Sequence, residues 1–301
     1  MKPDSNSNPP PFLAMGTWAL AGEAPWGYGP CTEQTAREAI RAALALGCRH
    51  FDSAALFGDG AVERLLGEEL AGFSGVSVTT RVGCRMENGH PLADFSAAHV
   101  TAQGRAAAAR LKMPIDRLLL HTPSPGVLKG GQAMAALVAL KAEGLARAVG
   151  ACVFEPEEAH LALDAGAEWL CVPFSAVNRK VERVLAAAAA RGVRVQAREV
   201  LHNGFLADAP RDPATITRFD VRREWPPYLR GRLQDMAARM QGAVPGRATE
   251  HTAIGYALGQ PGLHGVVAGC RTAGQVRANL VATALSEAER RAVNTALYGT
   301  G

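Results

Sequence analysis

The chain has 301 residues, 48% of them apolar and 20% charged, an ordinary globular composition with enough apolar side chains for a large core. Its 32 basic and 28 acidic residues leave a formal charge of +4 without a dense Lys/Arg run, which argues against nucleic acid as a partner. No apolar run approaches a membrane span, and the six scattered cysteines, Cys31, Cys48, Cys84, Cys152, Cys171 and Cys270, form no CxxC or CxxH pair, which argues against a metal knuckle or an iron–sulfur cluster.

In chain order, residues 1–11 are polar and proline-rich, lack a charged segment followed by an apolar run, and are expected to form a flexible tail. Residues 12–301 are expected to be one domain in a cytoplasmic protein with free thiols. The first strand is predicted at 13–18 (LAMGTW), followed by a helix in TEQTAREAIRAALAL, where Thr32 is positioned as the cap and apolar residues recur at three-and-four spacing. Strands follow at 48–53, 76–82, 117–121, 146–152, 168–173, 193–198 and 265–269, each short and rich in β-branched residues or leucine. Helical segments such as VERLLGEEL, HVTAQGRAAAARL, GQAMAALVALKAEG and KVERVLAAAAARG separate them, and Gly144 and Gly192 stand where left-handed helix caps are expected. A long connection, 201–247, follows the seventh strand; its Pro226-Pro227 pair breaks it before a further helix, and another helix closes the chain. Eight strands alternating with helices predict an α/β fold, a single (β/α)8 TIM barrel.

Such barrels carry their chemistry on the loops at the C-terminal strand ends. That rule selects Asp52, Arg81, His121, Cys152, Arg198 and the Gly269–Arg271 stretch. Trp18 and Trp26 are expected to form an aromatic wall of a substrate pocket, and Cys152 and Cys171 to meet inside the barrel mouth. His50, His90, His99, His160, His202, His251 and His264 show no ligand-like spacing, so no metal is expected. Alternation along a strand sends Arg198 and Glu199 to opposite faces, which predicts an unpaired Arg198 guanidinium suited to a carboxylate or phosphate, with Arg81 as a second clamp.

Five stretches, taken together, resemble the aldo-keto reductase superfamily in order and spacing: GTWALAGEAPWG, HFDSAALFGDGAVERLLGEEL, DRLLLHTPSP, GLARAVGACVF and VVAGCRTAGQVRANL. In that family hydride passes from NADPH to a carbonyl while a tyrosine donates a proton, aided by an Asp-Lys pair and a histidine. The resemblance places the aspartate at Asp52 and the histidine at His121, but the tyrosine becomes Phe57 and the lysine becomes Arg81. The family's nicotinamide contacts become Ala151, Cys152, Cys171, Ser175 and Arg198. By contrast, Gly269, Arg271, Thr272, Gln275 and Asn279 match the segment that holds adenosine and its 2′-phosphate, and Leu201, Gly204 and Leu206 match the pyrophosphate loop.

A phenyl ring cannot act as a general acid, a role worth about 100- to 10,000-fold in rate. Three readings follow. The first is an NADP(H)-dependent oxidoreductase acting on an unusual small anionic substrate, such as an imine or iminium. The second is a cofactor-independent lyase, dehydratase or isomerase using His121 with Arg81 and Arg198, Glu199 being a second proton carrier. The third is a non-catalytic binding protein.

Overall fold

The computed structural model describes residues 10–21, 27–207 and 220–299. Trp26, most of the expected tail, part of the 201–247 connection and the last two residues lie outside them. Eight parallel strands close into a barrel in the order β1 (Phe12–Gly16), β10 (Gly265–Gly269), β9 (Arg194–Arg198), β8 (Trp169–Pro173), β7 (Ala146–Cys152), β6 (Ile115–His121), β3 (Ser77–Val82) and β2 (His50–Asp52). These are the eight predicted strands, with edges moved by no more than two residues. Trp18 is a correction: β1 stops at Gly16, the Thr17 hydroxyl donates to the Asp52 carbonyl at 2.8 Å, and Trp18 begins a 3-10 turn.

Helices α1 (Glu33–Ala45), α2 (Ala61–Glu69), α3 (Ala97–Leu111), α5 (Gln132–Ala142), α6 (Pro156–Asp164), α7 (Glu182–Ala190), α9 (Thr249–Leu258) and α10 (Ala273–Asn279) pack around the strands. Thr32 caps α1, its hydroxyl accepting from the Thr35 amide at 3.2 Å. Three further helices, α4 (Pro125–Gly130), α8 (Pro227–Ala243) and α11 (Glu287–Tyr298), are additions to the barrel plan. Pro227 opens α8, since the first helical position needs no amide donor. An antiparallel hairpin, β4 (Cys84–Glu87) and β5 (His90–Ala93), extends the loop after β3. It was not predicted, although its Asn88-Gly89 turn, both residues at positive φ, is a strong hairpin signal.

Inside the barrel the usual branched apolar filling is interrupted by polar residues. Arg117 lies over both the Phe12 and the Trp169 ring and donates to Thr79 Oγ1 at 2.6 Å. Thr79 reaches Gln196 across the barrel at 3.5 Å, and Gln196 Nε2 donates to Asp52 Oδ2 at 2.7 Å. A polar ladder thus runs up the barrel axis to the mouth. Between β7 and β8 the backbones approach so closely that any side chain at Gly150 would collide with the Trp169 carbonyl oxygen.

Candidate functional site

Asp52 is the last residue of β2 and Arg81 the penultimate residue of β3, both buried. Arg81 Nη2 lies 2.7 and 2.8 Å from the two Asp52 oxygens and 3.3 Å from Cys171 Sγ, while Nη1 donates to the Ser53 carbonyl at 2.8 Å. Burial pushes the Asp52 carboxyl up, and Arg81 and Gln196 pull it back. Facing a guanidinium that does not deprotonate, the carboxyl stays ionised. Both terminal nitrogens of Arg81 are therefore occupied, so it is not the free anion clamp expected from the sequence.

Phe57 follows β2 on the turn that leads into α2. Its ring lies 6.3 Å from that of Trp18 in a stacked arrangement and 6.2 Å from His121 edge-on, and Trp18 in turn packs on Tyr28 at 4.8 Å. Tyr28, Trp18, Phe57 and His121 form one aromatic wall. Burial, and then the Arg81 charge, push His121 down to about 4, and its Nδ1 is buried without a hydrogen-bond partner. The imidazole is neutral at neutral pH, and Phe57 has no proton to donate.

At the barrel's other end His50 is also pushed down to about 4, by burial and Arg117. Unfolded, both imidazoles would titrate near 6.5. Below that pH the unfolded chain takes protons that the folded chain refuses, so stability is complete above about 6.5 and falls toward pH 4. The slope is at most about 1.4 kcal/mol per pH unit for each imidazole. Urea midpoints measured from pH 7 to 5 should show this decline, and His121→Gln should remove its share; a flat profile would contradict the neutral, buried assignment.

Arg198 and Glu199 correct the alternation argument. They form a direct salt bridge, because Glu199 sits at φ +59°, has already left the strand and turns its side chain back. The Arg198 guanidinium also lies 4.1 Å over the Phe154 ring, itself 45% exposed, and Nη2 is 3.4 Å from the Val153 carbonyl. Only its Nε is buried without a partner. Cys152 and Cys171 do meet, in register on β7 and β8 and both buried.

The β10 end forms a second cluster. Gln275 Oε1 accepts from the Arg271 amide at 2.7 Å, Thr272 caps α10, and Asn279 donates to the Gly269 carbonyl at 3.1 Å. The Arg271 guanidinium crosses to the loop after β1, donating to the Tyr28 carbonyl at 2.9 Å and to that of Pro30. No carboxylate among the described residues pairs with it. After β9, Leu201 is buried and Gly204 ends a 3-10 turn at φ +82°. The chain beyond is tied across the mouth: the Val221 amide donates to the Gly27 carbonyl at 2.8 Å, Tyr28 pairs with Asp220, and Arg222 covers the Tyr28 ring.

Sequence reasoning missed Gln196, Tyr28, Phe154 and Asp220. Gln196 was the most legible, since it lies two positions before Arg198 and so shares its inward face. Among the described residues no group of three His, Cys, Asp or Glu side chains could hold a metal, and no helix is long and apolar enough to cross a membrane.

A family model described as the Aldo/keto reductase family matches residues 12–297. Aldo-keto reductase YhdN of Bacillus subtilis is 24% identical over 302 residues, covering 96% of this chain and 90% of that protein. An aldo-keto reductase of Bacillus halodurans, solved in its holo form, superposes with a TM-score of 0.78 at 24% identity over 96% of this chain and 92% of its own. The glycerol dehydrogenase of Gluconobacter oxydans gives a TM-score of 0.80 at 22% identity, over 98% and 94%.

Proposed function

The chain belongs to the aldo/keto reductase family, and we propose that it is an NADP(H)-dependent oxidoreductase whose small substrate is an imine or iminium carrying a carboxylate or phosphate, rather than an ordinary aldehyde or ketone. The observation that carries this reading is the Phe57 ring set edge-on to a neutral His121. A protonated imine needs no side-chain acid, because it arrives with its own proton and is already electrophilic.

The residues present fit an elongated anionic ligand. Among the described residues Arg271 meets the Tyr28 and Pro30 carbonyl oxygens and the Cys31 thiol but no carboxylate, and Ser53 Oγ, Arg81 Nε, His121 Nδ1, Arg198 Nε and His202 Nδ1 are buried with no partner. Gly269, Arg271, Thr272, Gln275 and Asn279 would hold the 2′-phosphate and adenosine end, with Leu201 and Gly204 shaping the passage toward the mouth. When bound, the nicotinamide supplies the hydride. Trp18 and Phe57 exclude water from the electrophilic carbon, and His121 offers a neutral hydrogen-bonding group. Arg198 would exchange Glu199 for the substrate's anionic group, a planar fork being suited to that contact.

The experiment is NADPH consumption with small cyclic imino acids, compared with simple ketones. Turnover of the former alone is expected. Arg198→Ala should weaken binding of the anionic substrate by about 2 to 5 kcal/mol, with partial recovery in Arg198→Lys. Absence of any nicotinamide fluorescence change on adding protein, or turnover that needs no cofactor, would overturn the proposal.

A further inference from the structure

Beyond the hydride reaction, the geometry points to a second chemistry at the cysteine pair: we propose that Cys152 and Cys171 form a peroxide-reactive dithiol, Cys152 attacking and Cys171 resolving, that closes into a disulfide between β7 and β8.

The two residues are register partners on adjacent parallel strands. Such strands lie about 4.7 to 4.9 Å apart, within the roughly 4.4 to 6.8 Å that disulfides span between Cα atoms. Both side chains face into a closed barrel, where inward-pointing Cβ atoms converge. Two pairs lower, Gly150 lets the two backbones draw together against Trp169. Arg81 Nη2 and Gln196 Nε2 lie 3.3 and 3.5 Å from Cys171 Sγ.

The electrostatics divide the roles. Burial pushes the Cys171 thiol up and keeps its proton in place. The hydrogen bond from Cys171, followed by the charges of Arg198 and Arg81, draws Cys152 down despite its burial. Elsewhere burial raises Cys31 and Cys48, and pushes Cys84 up to about 11 and Cys270 to about 12. Of the six thiols, only Cys152 is drawn toward the nucleophilic thiolate. It ends β7 in register with His121 at the mouth and is 2% exposed, so the reagent it can meet is one hardly larger than water.

The Cys152 thiolate attacks one oxygen of hydrogen peroxide, the O–O bond breaks, and the departing hydroxide takes a proton to become water, leaving a sulfenic acid. The Cys171 sulfur then attacks Cys152 sulfur and displaces the hydroxyl, which leaves as a second water with the Cys171 proton. Two thiols are oxidised and one peroxide is reduced.

Reduced protein exposed to stoichiometric hydrogen peroxide should lose two hydrogens in intact mass, show the Cys152 and Cys171 peptides cross-linked, and revert with a dithiol reductant. Cys171→Ser should stop at the sulfenic acid and take up dimedone at Cys152, whereas Cys152→Ser should slow oxidation by at least about tenfold. The peptide map of the unaltered protein is decisive even if a variant fails to fold. Oxidation mapping to other cysteines, or no cross-link under conditions that oxidise free cysteine, overturns the proposal.

Discussion

Replacing Asp52 with alanine should destabilise the fold by about 3 to 5 kcal/mol, read as a lower urea midpoint at unchanged slope. The carboxylate holds Arg81 through both oxygens and receives Gln196, and all three side chains are sealed inside the barrel. Without it a guanidinium that stays charged is left among the Ser53 carbonyl and Cys171, neither of which neutralises it. The double variant Asp52→Ala with Arg81→Met should cost less than Asp52→Ala alone, because no uncompensated charge remains. A loss below about 1 kcal/mol in the single variant would mean that the pair does not hold the strand ends together.

With simple aldehydes and ketones, NADPH consumption should stay at least about 100-fold below the usual turnover of about 10 per second, the penalty for lacking a general acid. Phe57→Tyr alone places a hydroxyl near His121 without the amine that would ease its ionisation. Adding Arg81→Lys supplies that amine, but a single ammonium cannot reproduce the forked contacts to Asp52, the Ser53 carbonyl and Cys171. Cys152, Cys171 and Arg198 would also remain at the positions where the sequence resemblance expects nicotinamide contacts. The double variant is therefore expected to stay well short of ordinary turnover. Full recovery would show that Tyr and Lys suffice and that the other exchanges are dispensable.

The barrel was legible because its strands are short apolar runs between amphipathic helices, a pattern fixed by burial on both faces of a parallel sheet. Asp52, Arg81, His121 and Cys152 were legible as strand-end residues for the same reason. What escaped depends on backbone turns that periodicity does not record. Trp18 left its strand because the Thr17 hydroxyl bonds to the Asp52 carbonyl, and Glu199 rejoined Arg198 because one residue adopts a positive φ. The Tyr28–Asp220 bridge joins two loops far apart in sequence, and no local signal announces such a contact. The Asn88-Gly89 hairpin, by contrast, carried its signal openly.

The ladder Arg117, Thr79, Gln196, Asp52, Arg81 and Cys171 draws on β6, β3, β9, β2 and β8, and three of its contacts join strands that are not neighbours in the barrel. A half-formed barrel would therefore bury an arginine or an aspartate whose partner stands on a strand not yet in place. Each such vacancy is expensive in a way that a missing leucine contact is not. A one-residue slip in any contributing strand would turn its rung outward. The interior thus proofreads its own assembly: correct register on opposite sides of the cylinder is rewarded only at closure, which favours cooperative closing of the barrel over stepwise accretion of βα units.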